Sequence, residues 1–113
     1  VAERTLTPPP PEPTNAEGFY ARGVLRSNRG DLDGALTDLN RALETDSSSP
    51  RFLYARASVY ALKKQAEAAA ADLRKAVQSD PTVRFQATND PDFEAIRDEA
   101  TFIDVIEPSP SRA

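Results

Sequence analysis

Shifted by 34 residues, the chain matches itself without a gap: Phe19-Tyr20-Ala21-Arg22-Gly23 falls on Leu53-Tyr54-Ala55-Arg56-Ala57. The match continues with Ala35 on Ala69, Asp38-Leu39 on Asp72-Leu73, Arg41-Ala42-Leu43 on Lys75-Ala76-Val77 and Asp46 on Asp80. A fixed period of this kind marks an architecture in which one small unit cannot bury its apolar face alone and stacks on a copy of itself. It defines two units, 16–49 and 50–83.

Each unit reads as two helices. Phe19, Gly23 and Arg26, with Leu53, Ala57 and Tyr60 as counterparts, recur at i, i+4 and i+7 and mark one helical face. Gly30 then suits a left-handed C-cap and Asp31 an N-cap. The helix that follows, 32–45, directs Leu32, Ala35, Leu36, Leu39, Ala42 and Leu43 toward its partner. The second unit lacks a glycine at this turn, although 66–77 is rich in helix formers. Gly23 and Ala57, Ala35 and Ala69, and Ala42 and Ala76 stand where helices must cross closely. A larger side chain there costs roughly 1 to 3 kcal/mol. With 5 Phe, 3 Tyr, no Trp and abundant Ala, the expected fold is all-α with small contacts.

The period, Phe19 and Leu53 at the fourth place, Gly23 and Ala57 at the eighth, Ala at the twentieth and twenty-seventh, and Pro81 after Asp80 together resemble the tetratricopeptide repeat. Arg26 departs from the aromatic expected at the eleventh place, which Tyr60 keeps, and Ser47 departs from the closing proline. Both departures point to a first repeat that is more weakly packed or end-exposed. The resemblance implies a short α-solenoid of two helical hairpins with C-terminal capping helices, and a protein-binding role in the concave groove formed by the first helices. The family's groove places fall on Glu17, Tyr20, Val24, Ser27 and Asn28, then on Arg51, Tyr54, Ser58, Ala61 and Leu62. Tyr20, Val24 and Ser27 share a helical face, as do Tyr54, Ser58 and Ala61, and it differs from the packing face. Two readings of the tyrosines stand: groove anchors, or rings that cover neighbouring helices. The subset of the family that grips chaperone C-terminal carboxylates uses Lys and Asn at places that are Tyr20, Val24 and Ala55 here, so that clamp is not expected.

Arg22 and Arg56 are each followed sixteen residues later by an aspartate, Asp38 and Asp72. In a helical hairpin these places face each other, and a structural ion pair is expected in each repeat rather than a ligand site.

Residues 89–107 hold seven carboxylates against Arg97 alone, a charge of −6 in a chain of −4, so the remainder carries +2. Asp90, Asp92, Glu94 and Asp98 match places one, three, five and nine of a calcium loop, but Ala95, Thr101 and Pro91 break the frame, and no metal is expected. The apolar spacing explains more. Phe93 and Ile96, then Phe102, Ile103 and Ile106, predict two short helices, 91–98 and 100–106, that lid the array with Phe85 packed beside them. The carboxylates then form a solvated outer face.

The absence of Cys and His removes thiolate and imidazole nucleophiles and zinc ligands, and no other nucleophile has a visible base, so neither an enzyme nor a cofactor is expected. No basic stripe suggests nucleic acid and no apolar run approaches a membrane span. Residues 1–14, with Pro8 to Pro11, read as a polyproline linker whose PxxP patterns lack a well-placed basic flank, and 107–113 as a second tail. The start at Val1 and the lack of Met are expected of an excised or processed piece of a longer chain. Two functions follow: an adaptor domain, 15–106, binding a peptide or helix of another protein, or a self-associating assembly unit using the exposed end around Arg26 and Leu36.

Overall fold

Side-chain caps written in the sequence start three of the four long helices of the computed structural model, which describes residues 12–107. Asn15 accepts from the Gly18 N–H to open α1 (Ala16–Asn28), and Asp31 from the Gly34 N–H to open α2 (Leu32–Thr45). Ser49 accepts from Phe52 N–H, with Pro50 in the first turn, to open α3 (Pro50–Leu62). α4 (Ala66–Ser79) completes the second hairpin. The expected linkers fall mostly outside the described residues. Of them, Glu12 is seen paired with Arg22 at 2.9 Å.

The two hairpin turns are the same turn. Arg29, Gly30 and Asp31 donate to the carbonyls of Leu25, Ser27 and Arg26, and Lys63, Lys64 and Gln65 repeat this to Val59, Ala61 and Tyr60. Gly30 takes φ +87° and Lys64, its counterpart, φ +63°. The turn geometry is therefore imposed by the repeat, and the second copy holds a lysine in a conformation that costs an L-residue about 1 to 2 kcal/mol.

α1 packs on α2, α3 on α4, and α2 on α3. Gly23 lies against α2: a Cβ there would come within 3.0 Å of Leu39 Cγ and 3.3 Å of the Ala35 carbonyl. Ala57 fills the matching place and is fully buried. Within each hairpin an arginine grips a buried aspartate with both arms. Arg22 reaches Asp38 at 2.9 and 2.8 Å, and Arg56 reaches Asp72 at 2.8 and 2.8 Å. The second repeat also sets Arg56 over the Tyr60 ring. In the first, Arg26 replaces that ring and donates a further bond to Asp38 at 3.1 Å. The departure at the eleventh place thus exchanges an aromatic contact for a second cation on a carboxylate that is 0 % exposed.

Three elements close the far end: α5 (Val83–Asn89), a 3₁₀ segment (Pro91–Ile96) and α6 (Ala100–Ile106). Phe93 stacks on Phe102 at 5.5 Å and meets Tyr54 edge-on at 5.6 Å, while Ile96 and Val105 fill the remaining space. Arg97 joins the cap together, donating to the carbonyls of Thr88 and Asp90, and Arg84 donates to that of Val105. The helix at 83–89 was not expected, and the segment from Pro91 is 3₁₀ rather than α. Phe85 is 72 % exposed because α5 buries Val83 and Ala87, four apart, and turns the residue between them outward. Ile103 is exposed, since α6 inserts Phe102 and Val105 instead, while Ile106 is partly buried and packs against the core.

Removing one partner of a buried pair costs about 3 to 5 kcal/mol, and less where the guanidinium keeps some water. Arg56 has its side chain 24 % exposed, so Arg56→Ala is expected to cost about 2 to 3 kcal/mol in urea unfolding. Arg22→Ala should cost clearly less, because Arg26 remains on Asp38, and equal losses would show that Arg26 contributes nothing. Lys64→Gly should stabilise by about 0.5 to 1 kcal/mol, relief of the strain being partly offset by unfolded-chain entropy. A lower melting temperature would contradict this.

Candidate functional site: the concave face

The first helices, α1 and α3, present their same-numbered repeat places to one side. Glu17 and Arg51 occupy one such place and bond bidentately at 2.7 and 3.1 Å. The Arg51 guanidinium lies 4.7 Å from the centre of the Tyr20 ring, which in turn packs at 5.3 Å on Phe52. Hydrogen bonding from Arg51 holds the Glu17 carboxyl below its ordinary range, and the Glu17 bond raises the guanidinium. The contribution of Glu17 to stability is present above its unfolded-state value and lost as pH falls through the folded one.

Beside this pair opens a cavity of about 350 Å³. Its walls are Tyr20, Pro50, Arg51 and Tyr54 from the repeats, Ser49 and Asp80 from the connecting turns, and Val83 and Gln86 from α5. A smaller cleft of about 60 Å³ lies farther along, between Val24, Ser27, Asn28 and Leu39 on one side and Ala55, Ser58 and Val59 on the other, with Asp92 among its walls.

Not all of the expected groove is open. The 3₁₀ segment packs on α3 and takes up much of the second repeat's share. Tyr54 donates its hydroxyl to Asp90 at 2.7 Å, and Ser58 donates to Asp92 at 2.7 Å. Ser58 is buried, Ala61 is fully buried in the core, and Leu62 stays 38 % exposed. The places brought together around the open cavity are Glu17, Tyr20, Arg51 and Tyr54. Val24, Ser27 and Asn28 line the smaller cleft.

The acidic stretch is likewise divided. Glu94, Asp98, Glu99, Asp104 and Glu107 are exposed, whereas Asp90 and Asp92 turn inward to the hydroxyls of α3 and are half-buried. A solvated outer face therefore describes five of the seven. Sequence reasoning missed Asp90, Asp92, Asp80, Val83 and Gln86 as parts of this face. A signal for one existed: Asp92 lies one more period beyond Val24 and Ser58. No group of three or more carboxylates among the described residues is placed to hold a metal ion, and no helix among them is long and apolar enough to cross a membrane.

Burial first, then the Asp90 bond and charge, pushes the Tyr54 phenol far above its ordinary value of 10.0. The unfolded chain releases this proton earlier, so stability is whole below about pH 10 and falls as pH climbs further. In an alkaline titration followed by tyrosinate absorbance, part of the signal should appear only together with loss of helix. Tyr54→Phe should remove that part, and its persistence would show that another ring is the source.

A family model for the tetratricopeptide repeat matches residues 20–83. No curated protein and no solved structure matches the chain.

Proposed function

Because the chain belongs to the tetratricopeptide repeat family, whose repeats generally mediate protein–protein interaction, we propose that it is a non-enzymatic adaptor holding a segment of another protein on its concave face. The observation that carries this reading is the cavity framed by Tyr20, Arg51 and Tyr54. Its size suits one or two side chains of an extended segment, and the rings are fixed before binding by Phe52 and Phe93, which lowers the ordering cost. The cap leaves the first repeat and the α3–α5 junction as the open part of the groove. This favours a short contact over a helix running the whole length of α3.

Tyr54 also supports the cap, so the test uses residues that do not. A Tyr20→Ala/Gln86→Ala chain should melt lower, because the Tyr20 ring leaves its seat on Phe52, but keep its helical content at the assay temperature, yet lose the partners that the original retains in a pull-down. If the variant keeps every partner, the groove assignment is wrong.

Self-association is the second reading, and a specific observation moves it from the expected end to the other. Arg26 is engaged with Asp38, and Leu36 is half-buried against the cluster of Ala35, Leu39 and Val59. The most exposed large apolar side chain among the described residues is instead on the cap. Phe85 stands beside a hollow of about 340 Å³ lined by Pro81, Arg84, Thr88 and Ile106. A knob beside a hole on one face is what a two-fold contact between copies requires. Light scattering across a concentration series tests it: a dimer should revert to monomer in Phe85→Asp, and a monomer at all concentrations would exclude this reading.

A further inference from the structure

We infer that the partner segment is cationic: an extended stretch of another protein bearing Lys or Arg, with a prolyl or aliphatic side chain seated between Tyr20 and Tyr54. The inference rests on the groove reading above and specifies its occupant. It comes from a contrast between the two sides of the molecule. Where α1 meets α2 and α3 meets α4, the buried carboxylates Asp38 and Asp72 are each neutralised by a bidentate arginine. On the concave side three half-buried carboxylates have no cation among the described residues. Asp80 accepts from the N–H and hydroxyl of Thr82, Asp90 from Tyr54 and the Asp92 N–H, and Asp92 from Ser58. All of these donors are neutral.

Two of these carboxylates reach open surfaces and the third stands behind one of the rings. Asp80 is in the cavity wall, Asp90 sits behind the Tyr54 hydroxyl, and Asp92 reaches the smaller cleft. Arg51, the one cation in the wall, is cancelled by Glu17. An anionic segment would thus meet Asp80 in the cavity wall and Asp92 in the cleft, with Asp90 close behind and no free cation in either wall to offset them, while lysines or arginines would replace water around charges that are already partly desolvated. Apolar walls strengthen such an attraction by lowering the local dielectric, and like-charged sequences are rejected by the same field. The occupant is extended rather than helical because the 3₁₀ segment shortens the open face.

Phage displaying random decapeptides, panned on the full chain at low salt, provide the test, with the Tyr20→Ala/Gln86→Ala chain as counter-target. The expected result is enrichment of peptides with two or more Lys or Arg flanking Pro, Leu or Ile, absent on the counter-target. A synthetic peptide of the enriched sequence should bind about three- to fivefold more weakly to Asp80→Asn and to Asp92→Asn, with unchanged melting temperature, since asparagine keeps the accepting oxygen. It should also weaken steeply with added salt. Enriched peptides that are acidic or show no charge bias, yet need Tyr20 and Gln86, would overturn the cationic occupant and leave the groove standing. Enrichment that survives on the counter-target, or none at all, would overturn the groove and the inference with it.

Discussion

An array of only two helical hairpins leaves its last helix pair with an apolar face that nothing in the repeat itself covers, and Phe93 is the side chain that closes it. Held between Tyr54 and Phe102, it joins the second repeat to the cap in one continuous core. Burying a ring of this size is worth about 1.5 to 3 kcal/mol, a substantial part of what a domain this small retains. The rest of the cap follows from that insertion. Arg97 ties the carbonyls of Thr88 and Asp90 so that the chain can bend at Pro91, and the bend brings Asp90 and Asp92 within reach of α3.

Closing the end also redefines the groove. The segment that supplies Phe93 lies over the concave side of α3, where the family pattern anticipates a partner. The domain therefore uses part of its concave face for its own stability, and what stays open is an off-centre pocket between the repeats and α5. Electrostatics follows the same division: Asp38 and Asp72 are paired with arginines within the hairpins, whereas Asp80, Asp90 and Asp92 have no cation among the described residues.

The repeat, the four long helices, the Gly30 turn and the residues of both arginine–aspartate pairs were legible because each is fixed by local chemistry or by a period that two copies report twice. Where only one copy exists, the signal thinned. Past residue 83 the residue types stop following the period, so the places of Val83–Asn89 were not confirmed by matching copies, and a count of large apolar residues pointed to Phe85 and Ile103. The structure chose Val83, Ala87 and Val105 in their place, smaller side chains that fit beside stacked rings. Ser58 and Ala61 share the helical face of Tyr54, but facing a groove and facing a segment of one's own chain give the same periodicity. Lys64 shows the opposite limit: its turn is the one Gly30 makes, and the sequence at that point gives no hint of it.

Glu17 and Arg51 occupy the same place in successive repeats yet form a pair, and Gly18 stands where the second repeat has the buried Phe52. The two units are thus alike in fold and unlike in role, one built as a beginning and the other as a continuation. A duplicated second unit would set arginine beside arginine along the groove, and a duplicated first unit would leave a void where Phe52 belongs. The length of this array is encoded in the differences between its repeats, so that lengthening it by simple copying, a common way for such proteins to grow, is closed to this chain without compensating changes at the junction.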